Sequence, residues 1–154
     1  MAIYNFKKDT KVYIVRGANR YTLDVYPDFN FSQTFDETAV PVKTLHSQFD
    51  MAENAVITKA NPANFNFTVP ILYENDLNIV FDLLLDYETG VPEATLKTAD
   101  IYFANSSEIY KIEKCAFESG VFQLQNSAVI TISLSGTGKK LSKYTGTIPG
   151  TVIN

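Results

Sequence analysis

Apolar and polar residues alternate along most of this sequence, which is the pattern of β-strands that bury one face. The clearest run is Phe65, Phe67 and Val69, because a polar residue separates each of them from the next. The same alternation predicts further strands at Val12 and Ile14, Tyr21 to Val25, Phe29 to Phe35, Ala55 and Ile57, Ile101 and Phe103, Glu108 to Phe117, Phe122 and Leu124, and Ala128 to Leu134. The pattern therefore predicts a mainly β protein whose sheets have one apolar and one polar side.

Short turn signals connect several of these predicted strands. Residues 17–19 are predicted to turn the chain between the first two strands. Ser119–Gly120 and Asn126–Ser127 are predicted to join the last three strands into an antiparallel meander. Residues 135–140 carry two glycines before two lysines, but Ser133 stands where a phosphate-binding loop needs its first glycine. We therefore predict that this segment is a glycine turn that ends the last strand.

Between the predicted strands, apolar residues recur every three to four positions rather than every two, which predicts a helix at about residues 75–87. Asn75 or Asp76 can cap its start. Asp82 and Asp86 lie off the apolar stripe and are predicted to form the solvated face. The stripe itself follows the spacing of one helical face and consists of Leu77, Val80, Phe81, Leu84 and Leu85.

The polar sides of the predicted strands consist of amides and hydroxyls rather than of Lys and Glu. One strand contributes Asn30 and Ser32, and another contributes Asn64, Asn66 and Thr68. Such a surface suits a hydrated contact or the wall of a water-filled channel. Ordinary strand propensity explains it as well, because Thr is a good strand former, and the residues leave both interpretations open.

Two segments lack a clear strand or helix pattern. Residues 36–53 are too long for a plain connection, so we predict a long loop with a role of its own. Residues 139–154 form a C-terminal tail with several apolar side chains, which is predicted to dock on its own domain or on a neighbour. Because no linker or repeat divides the sequence, residues 1–154 are predicted to form a single domain.

Composition narrows the classes of function. The chain has 154 residues, of which 45% are hydrophobic and 19% charged, and its net charge is -4. No basic patch stands out, which argues against tight binding to nucleic acid. No apolar run approaches the ~20 residues of a membrane helix, and the first ten residues lack the apolar core of a signal peptide. We expect synthesis in the cytoplasm and no membrane partner.

The sequence holds few groups that could do chemistry. His46 is the only histidine and lies in the predicted loop, and Cys115 is the only cysteine and lies in a predicted strand. One histidine and one cysteine do not make the usual zinc sets, and neither paired acids nor a nucleophile motif is visible. We therefore expect no enzyme activity, metal or cofactor, with Cys115 acting as a small hydrophobe.

The order of these elements resembles that of bacteriophage tail tube proteins. Residues 29–35 (Phe-Asn-Phe-Ser-Gln-Thr-Phe) and 40–45 (Val-Pro-Val-Lys-Thr-Leu) are similar to that family's strand and loop start, and residues 130–136 (Ile-Thr-Ile-Ser-Leu-Ser-Gly) to its closing strand. The resemblance implies two packed antiparallel sheets, as a sandwich or small barrel, with one flanking α-helix. It also implies that six copies form a ring and that rings stack into the tail tube of a virion. Genomic DNA would pass through that tube during ejection without specific binding.

The resemblance further implies which residues serve in assembly, with copies of the chain, and sheath or baseplate proteins, as partners. The loop that contacts a neighbouring subunit or ring would include Thr38, Val40, Pro41, Val42, Lys43, Leu45 and His46. The lumen wall would be lined by Asn30, Ser32, Thr34, Asn64, Asn66 and Thr68.

Other functions stay open beside the tail tube. Tube initiators at the baseplate and the tubes of type VI secretion share the implied fold. A carbohydrate- or ligand-binding β-sandwich is a different class, and it is suggested by nine tyrosines without a tryptophan and by the amide-rich strand faces.

Overall fold

The computed structural model describes residues 9–38, 41–43, 49–51, 56–75, 77–85, 95–126 and 128–153. In this part of the chain the fold is mainly β with one short helix, so the predicted fold class is confirmed. The elements are β1 (Lys11–Arg16), β2 (Asn19–Asp24), β3 (Asn30–Ser32), β4 (Phe35–Thr38), β5 (Pro41–Lys43), β6 (Phe49–Met51), β7 (Val56–Ala60), β8 (Ala63–Pro70), α1 (Asn78–Leu85), β9 (Ala99–Ala104), β10 (Ile109–Gln123), β11 (Thr131–Gly138), β12 (Lys140–Tyr144) and β13 (Thr151–Val152).

Eight of these strands form one hydrogen-bonded path that bends into two sheets, and a ninth, β12, pairs with β10 beside this path. Sheet A consists of β13, β2, β1, β9, residues 109–115 of β10, and β12. Sheet B consists of residues 116–123 of β10, followed by β11, β8 and β3. All neighbours are antiparallel except β13, which pairs with β2 in parallel. The path runs from β13 to β3 without closing, so the arrangement is a sandwich and the alternative of a small barrel is wrong.

Strand β10 passes from sheet A into sheet B at Lys114. This residue has a φ of 49°, and its amide donates a hydrogen bond to Asp100 Oδ1 at 3.0 Å. The register with β9 shifts between Ile112 and Cys115. An extra residue of this kind bends a strand, which lets β10 contribute to both sheets.

Glycines in β10 and β11 permit close packing and do not mark turns. The predicted turn at Ser119–Gly120 is wrong because β10 runs through both residues, and a Cβ at Gly120 would lie 2.7 Å from Leu84 Cδ2. The predicted turn at residues 135–138 is also wrong, because they belong to β11 and pair with β8 and β10. A Cβ at Gly136 would lie 2.1 Å from the carbonyl oxygen of Ala116. Only glycine allows the two backbones to come so close.

The hydrophobic core lies between the two sheets. Phe67 of sheet B meets Phe103 of sheet A edge to face, with 6.1 Å between the ring centroids. Sheet A contributes Val12, Ile14, Leu23, Ile101, Phe103 and Ile112, and sheet B contributes Phe65, Phe67, Val69, Phe117, Ile132 and Leu134.

Helix α1 begins at Asn78 rather than at residue 75, and four of the five residues of the predicted stripe pack on the core: Val80 is buried, and Leu77, Phe81 and Leu84 are partly buried against it. Its buried residues are Ile79, Val80 and Leu83, whereas Leu85 of the predicted stripe is 72% exposed. Asp82 is not simply solvated, because its carboxylate pairs with both Arg16 and Lys97. Ile79 and Leu83, which lie outside the predicted stripe, are buried as well, because apolar residues continue around most of this helix. Asp76 and Asp86 lie outside the described residues.

Asn75 does not cap the helix but joins the ends of two strands. Its side-chain oxygen accepts a hydrogen bond from the Asp24 amide at 2.9 Å, and its nitrogen donates to the Pro70 carbonyl at 2.9 Å. Because these partners satisfy a buried amide, Asn75 fixes the end of β2 against the end of β8.

The segment predicted as a loop over residues 36–53 contains paired strands in its described parts. Strand β4 pairs with β7, from Phe35 opposite Ala60 to Thr38 opposite Val56, and β5 pairs with β6. We call residues 35–60 the arm. The prediction of a loop is wrong for these strands. At the base of the arm, Phe35, Asp36, Lys59 and Ala60 are all exposed, so this part of it shows no alternation of buried and exposed residues.

The C-terminal tail packs on its own chain. Strand β12 pairs with β10, and β13 extends sheet A beyond β2. Between them, Ile148 is buried against Val15, Tyr102 and Ala104, which face away from the main core. Of the two predicted alternatives, docking on its own chain is therefore the one that the structure supports.

Candidate functional site

The side of sheet B that points away from the core carries mostly amides and hydroxyls. The register places Asn30 opposite Asn66 and Thr68 opposite Ser133, while the intervening residues of β8 and β11 are buried. We call this surface the polar face. It comprises Asn30, Ser32, Asn64, Asn66, Thr68, Ser119, Gln123, Thr131, Ser133, Ser135 and Thr137, together with one exposed apolar side chain, Val121, opposite Ser133.

Hydrogen bonds along the polar face hold its hydroxyls in place. The Thr68 hydroxyl donates to Asp28 Oδ2 at 2.9 Å and lies 3.1 Å from Ser133 Oγ. The Thr137 hydroxyl donates to Glu118 Oε1 at 2.7 Å. The four strand segments of sheet B contain no lysine or arginine, so the charge that they and their hydrogen-bond partners add to this face is negative.

Both outer edges of sheet B are open in the part of the chain that the structure describes. Strand β3 pairs only with β8. At the other edge, β9 pairs with β10 only as far as Cys115, with a single bridge residue, Leu96, before β9 in the chain, and β11 is the one described strand that pairs with residues 116–123. Open strand edges are templates for pairing with another chain.

The structure brings together five of the six residues predicted for the lumen wall, on the polar face. They are Asn30, Ser32, Asn64, Asn66 and Thr68. Thr34 lies apart from them, past the end of β3, where its hydroxyl and carbonyl accept hydrogen bonds from Asn61 at 3.1 and 3.0 Å.

The residues predicted for the contact loop fall on the arm or outside the described residues. Thr38 ends β4, and β5 contains Pro41, Val42 and Lys43, paired with Met51, Asp50 and Phe49 in turn. Val40, Leu45 and His46 lie outside the described residues.

Sequence reasoning missed the contribution of β11 to the polar face. Ser135 and Thr137 were assigned to a turn, and Ser133 was not singled out. The signal was present, because all three alternate with buried positions. Lys139 and Lys140 lie beyond the end of β11 rather than on the polar face, and Lys7 and Lys8 lie outside the described residues.

Little in the described residues could do chemistry. Cys115 is buried, as predicted, and its thiol donates to the Ile112 carbonyl at 3.3 Å. Burial raises the pKa of Cys115 to about 12, so the thiol stays protonated and is a poor nucleophile. In these residues no group of three or more His, Cys, Asp and Glu side chains could hold a metal ion. None of the helices in this part of the chain could span a membrane.

The open edges and the polar face are features of a protein that assembles with other chains. Comparison of the sequence with known protein families gives a match over nearly the whole chain. The Bacteriophage Baseplate Tube Protein Family matches residues 2–150, and this chain belongs to that family. It is a structural protein of the baseplate tube class. No curated protein matches the chain in sequence.

Solved structures with the same fold come from phage-like assemblies. A chain from the sheath/tube terminator of an extracellular contractile injection system, PVC, has a TM-score of 0.62 and 6% identity, with 94% of this chain and 96% of that one covered. A chain from the anti-feeding prophage baseplate, 6-fold symmetrised, has a TM-score of 0.61 and 10% identity, with coverage of 94% and 97%. A chain from the tail of an empty GTA particle, with C6 symmetry, has a TM-score of 0.57 and 9% identity, with coverage of 94% and 100%. At these identities the likeness is one of fold.

Proposed function

We propose that this chain is a subunit of the tube at the baseplate end of a virion tail, and that copies of it form stacked rings through which genomic DNA passes. The observation that carries the proposal is the polar face, flanked by two open strand edges. Family membership over residues 2–150 supports the baseplate end rather than the body of the tube.

Ring closure follows from the open edges. If β3 of one copy pairs with residues 116–123 of the next, sheet B continues from subunit to subunit and the exposed backbone groups are satisfied. A head-to-tail contact with the right rotation closes into a ring. Six copies are proposed because two assemblies that contain this fold have 6-fold and C6 symmetry.

The size of such a ring suits the passage of DNA. Six copies of a four-stranded sheet contribute 24 strands, spaced about 4.8 Å apart, so the circumference would be on the order of 120–150 Å. The lumen would then be a few tens of ångströms wide, which is wider than a DNA duplex. Larger barrels of this kind leave an open interior.

The chemistry of the polar face suits a lumen that DNA must leave again. Duplex DNA carries about one negative charge per 1.7 Å of its axis, and bound Lys and Arg would hold it. Sheet B has no such residue in its four strand segments, and Asp28 and Glu118 add negative charge beside it. Hydroxyls and amides keep the wall hydrated without trapping phosphate.

The arm is proposed to contact another subunit or the adjacent ring. Its contact residues would be those of the loop predicted from the sequence, from Thr38 to His46, and sheath or baseplate proteins are further proposed partners. The supporting observation is that β4–β7 and β5–β6 are paired only with each other, so that the arm belongs to neither sheet.

Negative-stain electron microscopy of the purified chain, over a range of concentrations and salt, tests this function. We expect rings or short hollow tubes with a central hole. If the chain remained as small single particles under all these conditions, the proposed self-assembly would be contradicted.

A further inference from the structure

Large apolar side chains are exposed at one end of the molecule. We call this group the apolar rim, and its members are between 41% and 106% exposed. They are Leu72, Tyr73, Phe122, Leu124, Val129 and Ile130.

The fold brings the rim together where three strands of sheet B end. Thr131, the first residue of β11, lies opposite both Pro70 at the end of β8 and Gln123 at the end of β10. The Ile71 amide donates to the Ile130 carbonyl at 2.8 Å, which continues this contact beyond the strands. Five of the six rim residues occupy the segments directly outside these ends, and Phe122 is the last residue but one of β10.

The arm leaves sheet B at the opposite end. Ala63, the first residue of β8, pairs with Gly138, the last residue of β11. Just before it, the Asn61 amide donates to the Thr34 carbonyl at 3.0 Å, which closes the base of the arm. Eight paired positions separate this end from the rim, a distance of about 25 Å. The molecule therefore has an apolar end and an arm end.

The rim is too large to be ordinary surface. Six large apolar side chains at these exposures present several hundred Å², the size at which a patch on a soluble protein marks a contact. This approaches the ~800 Å² that each partner buries in a standard interface. Tyr73, at 106% exposure, is the kind of aromatic side chain that anchors such contacts.

We propose that the apolar rim is the docking site for the arm of a second copy of this chain, in an end-to-end contact. This assignment rests on the proposed function, because it supplies the contact between stacked rings. The arm offers an apolar side chain to the rim, because Phe35 at its base is 49% exposed, and its sequence contains further apolar residues. A rim-to-rim contact would close after two partners, whereas contact between unlike ends propagates along an axis.

Two variants test the two sides of the proposed contact, the rim and the arm, separately. In the rim variant, Leu124→Asp and Val129→Asp charge two exposed positions, and the fold should tolerate them because neither side chain is buried. In the arm variant, residues 37–58 are replaced by Asn-Gly, a two-residue turn that suits the pairing of Asp36 with Lys59. Val152→Asp is the matched control, an exposed apolar residue outside the rim. Circular dichroism verifies that each variant is folded.

The measurement is electron microscopy with sedimentation, for each variant alone and for the two mixed. We expect the wild type and Val152→Asp to form stacked rings or tubes, and each of the other variants to stop before stacking. Mixed, the rim variant supplies arms and the arm variant supplies rims, so the two should form pairs in a 1:1 ratio that do not grow further.

Different failures have different meanings. Stacking of the rim variant to wild-type length would overturn the proposed docking site while leaving the proposed function intact. Self-pairing of the arm variant through its rims, or no pairing in the mixture, would overturn the end-to-end arrangement. Absence of any assembly by the wild type would contradict the proposed function itself.

Discussion

Gly136 determines how closely β11 can approach β10. A Cβ at this position would lie 2.1 Å from the Ala116 carbonyl oxygen and 2.7 Å from the Phe65 ring. We therefore expect Gly136→Ala to lower the free energy of unfolding by about 3 kcal/mol, at the upper end for overpacked cores, because backbone cannot move aside as a side chain can. Urea unfolding measures the change.

Gly120→Ala is the matched control for this prediction. Its new Cβ would meet the end of the Leu84 side chain, which can rotate away, so the loss of stability should be smaller. Equal stability of Gly136→Ala and the wild type would contradict the close approach of the two strands.

Residues with two common uses limited what the sequence could predict at this scale. Glycine marks both turns and close packing, and the segment 135–138 was assigned to the wrong one of the two. Asn75 was taken for a helix cap, but its partners, Asp24 and Pro70, are distant strand ends that become neighbours only after folding. Cys115 was predicted correctly, since a cysteine beside buried alternating residues is usually buried with them.

At the scale of elements, the C-terminal segment covers the outer side of sheet A. Ile148 is buried there against Val15 and Tyr102, and its carbonyl accepts a hydrogen bond from Arg20 at 2.8 Å. We expect Ile148→Ala to destabilise the protein by about 2–3 kcal/mol, because it removes buried apolar volume. Thermal and urea unfolding report the change. Val152→Ala, at an exposed position of the same segment, should change stability by less than about 0.5 kcal/mol. A similar loss of stability in both variants would contradict the packing of Ile148 against Val15 and Tyr102 on the outer side of sheet A.

Strands with a buried face were predictable, and the shortest strands of the arm were not. β1, β2 and β8 were predicted because their residues alternate between core and surface, whereas β9, predicted from Ile101 and Phe103, is buried on both faces. In the arm, β7 was predicted from Ala55 and Ile57, whereas β5 and β6 were not, because strands of three residues are too short to show an alternation. The sequence analysis divided β10 at Gly120 because it assigned this glycine to a turn. In the structure the strand continues through a bulge between Phe117 and Ser119, and Gly120 leaves room for Leu84.

At the scale of the whole molecule, the absence of cations from sheet B should decide how DNA behaves in the tube. We expect Ser133→Lys with Ser135→Lys to leave assembly intact but to make assembled rings retain duplex DNA at low salt and release it at high salt. Cosedimentation with a short duplex, across a salt series, measures retention. Thr145→Lys adds a charge on an exposed site of the C-terminal segment and should have no such effect. Equal retention by both variants would argue against the polar face as the lumen.

The sandwich and most of the polar face followed from sequence pattern and resemblance, whereas the apolar rim did not. Its members lie apart in sequence, at or beyond the ends of strands, and only the pairing of β8, β10 and β11 brings Leu72, Leu124 and Ile130 to one end of the molecule. A periodic pattern within one strand can predict a face. It cannot predict a surface assembled from the ends of several strands.

The central claim is that copies of this chain form a ring with the polar face inside, and site-specific labelling tests it most directly. Asn66→Cys places a thiol on the polar face and Thr145→Cys places one on the C-terminal segment. The native Cys115 should not react, because it is buried and burial raises its pKa to about 12. Each variant is labelled with maleimide-coupled gold before assembly and imaged by electron microscopy. The account predicts gold inside the ring for Asn66→Cys and outside it for Thr145→Cys. Gold on the outer wall for Asn66→Cys would contradict it.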